Sequence, residues 1–234
     1  MNDTTTARQL PRVPEFPSKR HVLEADCARC PALVDARERI SWGTGDPDAD
    51  VLVVGEAPGY GDPDADRWKG GNWTGKAYTS RHSGRRIRTM LEDVGYPDAY
   101  YTNAVKCFPA SEERRSSSAS SETASDTATT NREPTDEERT TCRSHLLTEL
   151  EAVSPTVVLA TGKHATTTVL EAEGDELEGF LDAVLEPIRC ERLGVWLLPI
   201  LHPSYQDVWI GRLGYDSEGY LEALEDALAR CLDG

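Results

Sequence analysis

The chain has 234 residues, 38% of them apolar, which suits one domain of generous size with a real core. Its formal net charge of −16 argues against a surface built broadly for polyanions. No apolar run approaches the roughly 18 residues of a membrane span, and residues 1–10 lack the apolar block of a secretory signal, so a cytoplasmic protein is expected. Among 25 basic residues only Lys19, Lys69, Lys76, Lys106 and Lys163 are lysine. Charge taken alone leaves two readings open. One is an acidic protein with no nucleic-acid role. The other is a protein of a molar-salt cytoplasm, where the Debye length falls to about 3 Å and an acidic coat reports the solvent.

Residues 1–20 are polar and proline-containing and read as a flexible arm before a single domain over 21–234. Residues 50–54 (DVLVV) form a β-branched apolar run ending at Gly55, the pattern of a buried parallel strand. Residues 55–82 are rich in glycine and aspartate and read as one long functional loop. A helix is expected over 83–94, from Ser83 as N-cap to Gly95 as stop. Residues 100–105 read as a second strand, and 110–131 as a low-complexity surface insertion. Beyond it come a helix over 135–153, a strand over 156–160, helices over 163–171 and 177–185, a strand over 195–201 and a closing amphipathic helix over 217–232. The alternation predicts a three-layer α/β fold: a four-stranded, mainly parallel sheet flanked by helices. Ligands of such sheets bind beyond the carboxyl ends of the strands. Three strands end there on polar sequences: GEAPG at 55–59, Asn103 with Lys106-Cys107, and His202-Pro203-Ser204.

Six cysteines are present: Cys27, Cys30, Cys107, Cys142, Cys190 and Cys231. Disulfides are a poor default in a cytosolic chain. Cys27-Ala-Arg-Cys30 is a CxxC clip, with zinc, redox and cluster chemistry all open. Once the insertion is set aside, Cys107 and Cys142 come close in sequence. Four thiolates could then meet around one [4Fe–4S] cluster or one zinc ion. Cys190 and Cys231 read as buried inert thiols, with Cys190 the alternative member of the quartet.

In this order the pieces resemble the family 4 uracil-DNA glycosylases of bacteria and archaea, here with the charge pattern of a halophilic archaeon. They are Cys27-Ala-Arg-Cys30-Pro31, GEAPG at 55–59, WTG at 73–75, SGRRIRTML at 83–91, TNAVKCFP at 102–109, Cys142 and HPS at 202–204. The resemblance implies a four-stranded parallel sheet between helices and a structural [4Fe–4S] cluster held by Cys27, Cys30, Cys107 and Cys142. It also implies removal of uracil from single- or double-stranded DNA by a monomer. Three departures stand out: Tyr60-Gly61-Asp62-Pro63 leaves only Asp62 where an acidic pair usually follows GEAPG, residues 76–82 lengthen a loop, and 110–131 is inserted. A related branch couples covalently to DNA through a histidine after an Arg-Arg-Ile run. Here Arg88 follows Arg85-Arg86-Ile87, so that chemistry is not expected.

Uracil presents O2, N3–H and O4. The Asn103 amide can donate to O4 and accept from N3–H, which cytosine's amino group would frustrate. His202 is the candidate donor to O2, where charge develops as the glycosidic bond breaks. Glu56 is the candidate to activate water or stabilise the cationic sugar, with Asp62 second. Trp73 is expected to stack on the base, Tyr60 to exclude a thymine methyl, and Gly55 to belong to the uracil site. Phosphates are expected on Ser83, Gly84, Ser204 and the amides of Gly55 and Gly59. Arg81, Arg85, Arg86 and Arg88 form the basic cluster, and Tyr205 with Gln206 a wedge into the duplex. Two other functions remain at this stage: a non-excising uracil- or damage-binding module, and a redox protein using the cluster.

Overall fold

The computed structural model describes residues 14–111 and 131–233. Most of the expected insertion and residues 1–13 of the expected arm lie outside them. Residues 14–20 are tied down: Phe16 packs edge-on against Trp68 at 5.2 Å, and Lys76 Nζ donates to the Pro17 carbonyl at 2.7 Å.

The elements are α1 (Pro31–Ala36), β1 (Val51–Gly55), α2 (Gly71–Thr74), α3 (Ser83–Asp93), β2 (Tyr100–Asn103), α4 (Asp136–Val153), β3 (Val157–Thr161), α5 (Lys163–Glu173), α6 (Phe180–Ala183), β4 (Ile188–Cys190), β5 (Val195–Ile200), α7 (Gln206–Trp209) and α8 (Ser217–Leu232). The sheet order is β2-β1-β3-β5-β4. The four expected strands are its parallel members, and β4 is a fifth, antiparallel to β5 at the edge. With three residues, one of them exposed Arg189, β4 has too little pattern to declare itself in sequence.

Successive strand residues point to opposite faces and build two cores. Val51, Val53, Leu159 and Leu198 pack with Leu91 of α3 and Leu224 of α8. Leu52, Val54, Val158 and Leu197 pack with Leu146 of α4 and Val169 of α5. Both sides of the central strands are therefore apolar, which explains their unbroken hydrophobic runs. Truncating a fully buried residue such as Leu159 to alanine would cost about 2–5 kcal/mol. The longest internal helix, α4, starts at a capping box in which the Thr135 hydroxyl accepts from the Glu138 N–H and the Glu138 carboxylate accepts from the Thr135 N–H.

Register sets the functional rim. Gly55 pairs with Asn103, Val54 with Ala160, and Thr161 with Ile200. Four parallel strands thus end at one level, and Glu56, Asn103 and His202 emerge along it.

Candidate active site

A cavity of about 950 Å³ opens at this rim. Glu56, Asn103 and His202 all line it, with Gly55, Gly59, Tyr78, Ser83, Ser204 and Tyr205. The three strand ends singled out in the sequence therefore meet in one place.

Asn103 is the last residue of β2 and is 5% exposed. Opposite it, a Cβ on Gly55 would stand 2.4 Å from Asn103 Oδ1 and 2.6 Å from the Tyr78 hydroxyl. Any side chain at Gly55 would fill the space in front of the Asn103 amide, so glycine keeps that amide reachable. The strand ends are also bonded to each other: Ala104 N–H donates to the Gly55 carbonyl at 2.7 Å and Val105 N–H to that of Glu56 at 2.9 Å.

Glu56 is half-buried, and burial raises its carboxyl above the ordinary value of 4.5. His164 opposes that shift and Glu133 adds to it. His164 and Glu133 face each other at 3.0 Å on the cavity wall. Burial pushes the imidazole of His202 below its ordinary value of 6.5, so the ring is neutral at pH 7. The Ser204 N–H donates to His202 Nδ1 at 3.2 Å. Nδ1 is therefore the unprotonated nitrogen, and Nε2 carries the hydrogen. The tight turn at HPS thus produces a neutral N–H donor.

Several expected contacts are corrected. Trp73 and Tyr60 do not line the cavity: their rings pack on each other at 5.4 Å, and Tyr60 leans on Phe108 at 5.6 Å. Short α2 turns the Trp73 indole inward, where its Nε1 is buried without a partner among the described residues. Tyr78, Phe180 and Trp209 line the cavity beside Tyr205, and Tyr78, next to Gly55 and Asn103, is the ring that the sequence reading missed. It sits at φ +52°, donates or accepts at Thr161 Oγ1 (2.6 Å), and has its carbonyl held by Arg88 Nε at 3.1 Å. Nothing in the loop's composition separates Tyr78 from Trp73 five positions earlier, and only the path of the chain decides.

The expected phosphate cradle also changes. Gly84 is buried and its N–H is taken by Ser80 Oγ at 2.8 Å, and a Cβ there would strike the Tyr78 carbonyl oxygen at 2.6 Å. Gly55 is buried within β1. Ser83, Gly59 and Ser204 remain on the wall, and Tyr205, 61% exposed, stands at the mouth. Gln206 is 2% exposed and bonds the Leu201 carbonyl, so it is no wedge. Of the arginines, Arg88 is buried and bonds Thr44 Oγ1 at 2.7 Å, while Arg86 holds Asp207 through two bonds of 2.9 and 2.6 Å. Arg81 is exposed, and Arg85 lies 6.0 Å over the Trp68 ring. Asp62 is exposed away from the cavity, its carboxylate accepting from the Asp64 N–H at 3.0 Å.

At a second corner, Cys27, Cys30, Cys107 and Cys142 line one small cavity with Arg37 and His145. Arg37 Nη1 donates to Cys107 Sγ at 3.1 Å and the Lys106 N–H to Cys142 Sγ at 3.4 Å, both suited to sulfurs that carry negative charge. Burial pushes the Cys142 thiol up to about 11, so loading a metal there must release protons. A single tetrahedral zinc ion needs sulfurs about 3.8 Å apart. Among the described residues, the three potential ligands whose donor atoms lie within 4.8 Å of one another are Glu24, Cys27 and His145, of which Cys27 and His145 line this corner. Cys190 and Cys231 lie apart, each in one of the two sheet cores.

Residues 42–225 match the family model of the uracil DNA glycosylase superfamily. A type-5 uracil-DNA glycosylase of Pyrobaculum aerophilum is 30% identical, covering 88% of this chain and 91% of that protein. Type-4 uracil-DNA glycosylases of Archaeoglobus fulgidus (30% identical, 76% of each chain) and Thermotoga maritima (26%, 76% of this chain and 77% of that one) are also similar. A parallel sheet whose strand ends gather Glu56, Asn103 and His202, and a match spanning all three, place the chain in one family: it belongs to the uracil DNA glycosylase superfamily.

Proposed function

We propose that this chain hydrolyses the N-glycosidic bond of deoxyuridine in DNA, releasing uracil and leaving an abasic site. The observation that carries the reading is the convergence of Glu56, Asn103 and His202 on one cavity. A base extruded from the duplex, at a cost of a few kcal/mol, enters with its O4 and N3–H facing the Asn103 amide. Gly55 leaves room for that edge, and Tyr78 supplies an aromatic surface. As the N1–C1′ bond breaks, its electron pair passes to the uracil ring. The His202 Nε2–H meets the charge growing on O2, an interaction worth roughly 3–4 kcal/mol in a dry pocket. The Glu56 carboxylate stabilises the cationic sugar and takes a proton as water adds to C1′.

Ser83 and Ser204 hold flanking phosphates, Arg81 and Arg85 add local positive charge, and Tyr205 occupies the gap in the duplex. Cys27, Cys30, Cys107 and Cys142 are read as ligands of a [4Fe–4S] cluster. The cluster ties the N-terminal corner to β2 and α4 and takes no part in bond cleavage. The protein acts as a monomer in a cytoplasm of high salt. Among the described residues no helix is long and apolar enough to cross a membrane.

The test is excision from U·A, U·G and single-stranded uracil oligonucleotides at high salt, with strands cleaved by alkali afterwards. Strand breaks at uracil are expected. Oligonucleotides retarded in a gel but unbroken after alkali would instead mark a non-excising binder.

A further inference from the structure

Lys106 lies in the TNAVKC segment, yet the proposed chemistry assigns it no part. It is 1% exposed, as is Glu149, the carboxylate it faces. Its ammonium has three hydrogens and three acceptors: Thr102 Oγ1 at 2.7 Å, the Asn103 carbonyl at 2.6 Å and Glu149 Oε2 at 2.5 Å. Glu149 in turn accepts from the hydroxyls of Thr102 (2.7 Å) and Tyr100 (3.1 Å). A buried ion pair is a poor way to gain stability, because desolvation offsets most of the attraction and apolar replacements are often neutral or better. Its position directly behind the base-reading residue is therefore informative.

The peptide between Asn103 and Ala104 is held at both ends. The Ala104 N–H donates to the Gly55 carbonyl, and the Asn103 carbonyl accepts from Lys106. With that peptide plane held and Asn103 paired with Gly55 in the sheet, the direction of its Cα–Cβ bond is set, which confines the amide to a few staggered orientations. We propose that Lys106 is a positioning residue for Asn103, holding its amide in the orientation that distinguishes uracil from other pyrimidines. This rests on the proposed function, since it assigns Asn103 to the base edge.

The decisive variant is Lys106→Met combined with Glu149→Gln, which removes both charges without leaving either one buried alone. Single-turnover excision is expected to fall about 10- to 100-fold, as for a misplaced reacting group, with KM changed less than about threefold. The preference for uracil over cytosine should narrow at unchanged thermal midpoint. Glu149→Gln alone leaves the Lys106 charge without its counter-ion and should lower the thermal midpoint, yet it keeps the donor to the Asn103 carbonyl, so the folded variant should stay within about threefold of the parent in rate and preference. A folded double variant with parental rate and preference would overturn the assignment, as would an equal loss in Glu149→Gln alone. A second readout needs no variant and no turnover: the Lys106 ¹⁵Nζ resonance during titration with free uracil. A shift is expected as Asn103 engages the base, and an unmoved resonance would overturn the assignment if the double variant is insoluble. Absence of uracil release by the parent protein would count against the proposed function, and the titration would still decide the role of Lys106.

Discussion

The cavity at the strand ends and the cysteine corner share one stretch of chain but are built in opposite ways. The cavity gathers residues that parallel pairing must bring together, since Gly55 and Asn103 are register partners. The cysteine corner gathers residues that no regular element relates: Cys27 and Cys30 precede the sheet, Cys107 follows β2, and Cys142 sits inside α4. The two meet where Val105 N–H bonds the Glu56 carbonyl and Lys106 N–H bonds Cys142 Sγ. The proposed chemistry thus rests on topology, whereas the cysteine corner rests on the proposed cluster.

The largest effect should therefore come from the corner. Under the proposed cluster, Cys107→Ala is expected to lose brown colour and most soluble protein, because loss of a structural metal is coupled to unfolding. Iron analysis and circular dichroism would check this, and a colourless, soluble, active variant would dissolve the comparison. Within the cavity, His202→Ala should keep the fold and lower single-turnover excision about 10²- to 10³-fold, the scale of one lost donor to a developing charge. Parental rates with an unchanged melting curve would remove His202 from the site.

A smaller effect separates the two aromatic candidates. Tyr78→Ala should lower excision about 10-fold or more, as removal of a stacking partner worth about 1–3 kcal/mol does. Phe should largely restore it. Replacing Trp73, packed on Tyr60, with Phe should leave the rate within about threefold. The reverse order would reinstate Trp73 as the stacking residue.

The mildest effects concern pH. Glu56 takes its proton above the ordinary 4.5, so the acid limb of the rate profile should lie above that value and disappear in Glu56→Gln, at a lower rate. His202 has its folded-state value depressed below 6.5. The unfolded chain then binds that proton more readily, so the His202 contribution to stability is full above about 6.5 and falls as pH drops through the folded value. Thermal midpoints of parent and His202→Gln should converge toward acid. Curves that stay parallel would contradict burial of the neutral ring.

What could be read in advance follows the same division. Strand runs and their polar endings are visible because apolar runs are local patterns, and right-handed parallel crossovers then carry the strand ends to a common rim. Tyr78 and Trp73 were not separable, since both lie in a glycine-rich loop whose path is set by packing on Arg88 and Thr161. The arginines carry a legible signal: Gly84, Arg88 and Leu91 fall on the inward face of α3, with Arg85 and Arg86 turned outward. Gly84 as an internal close-approach glycine was hidden, because its neighbour is the backbone of the Tyr78 turn.

The most direct check is a crystal structure with free uracil bound. Expected is one uracil with its O4 and N3 edge on the Asn103 amide, O2 at His202 Nε2 and its face on the Tyr78 ring. Uracil lodged against Trp73, or density remote from Asn103 and His202, would contradict the reading of this rim as the place where the base is held and cut.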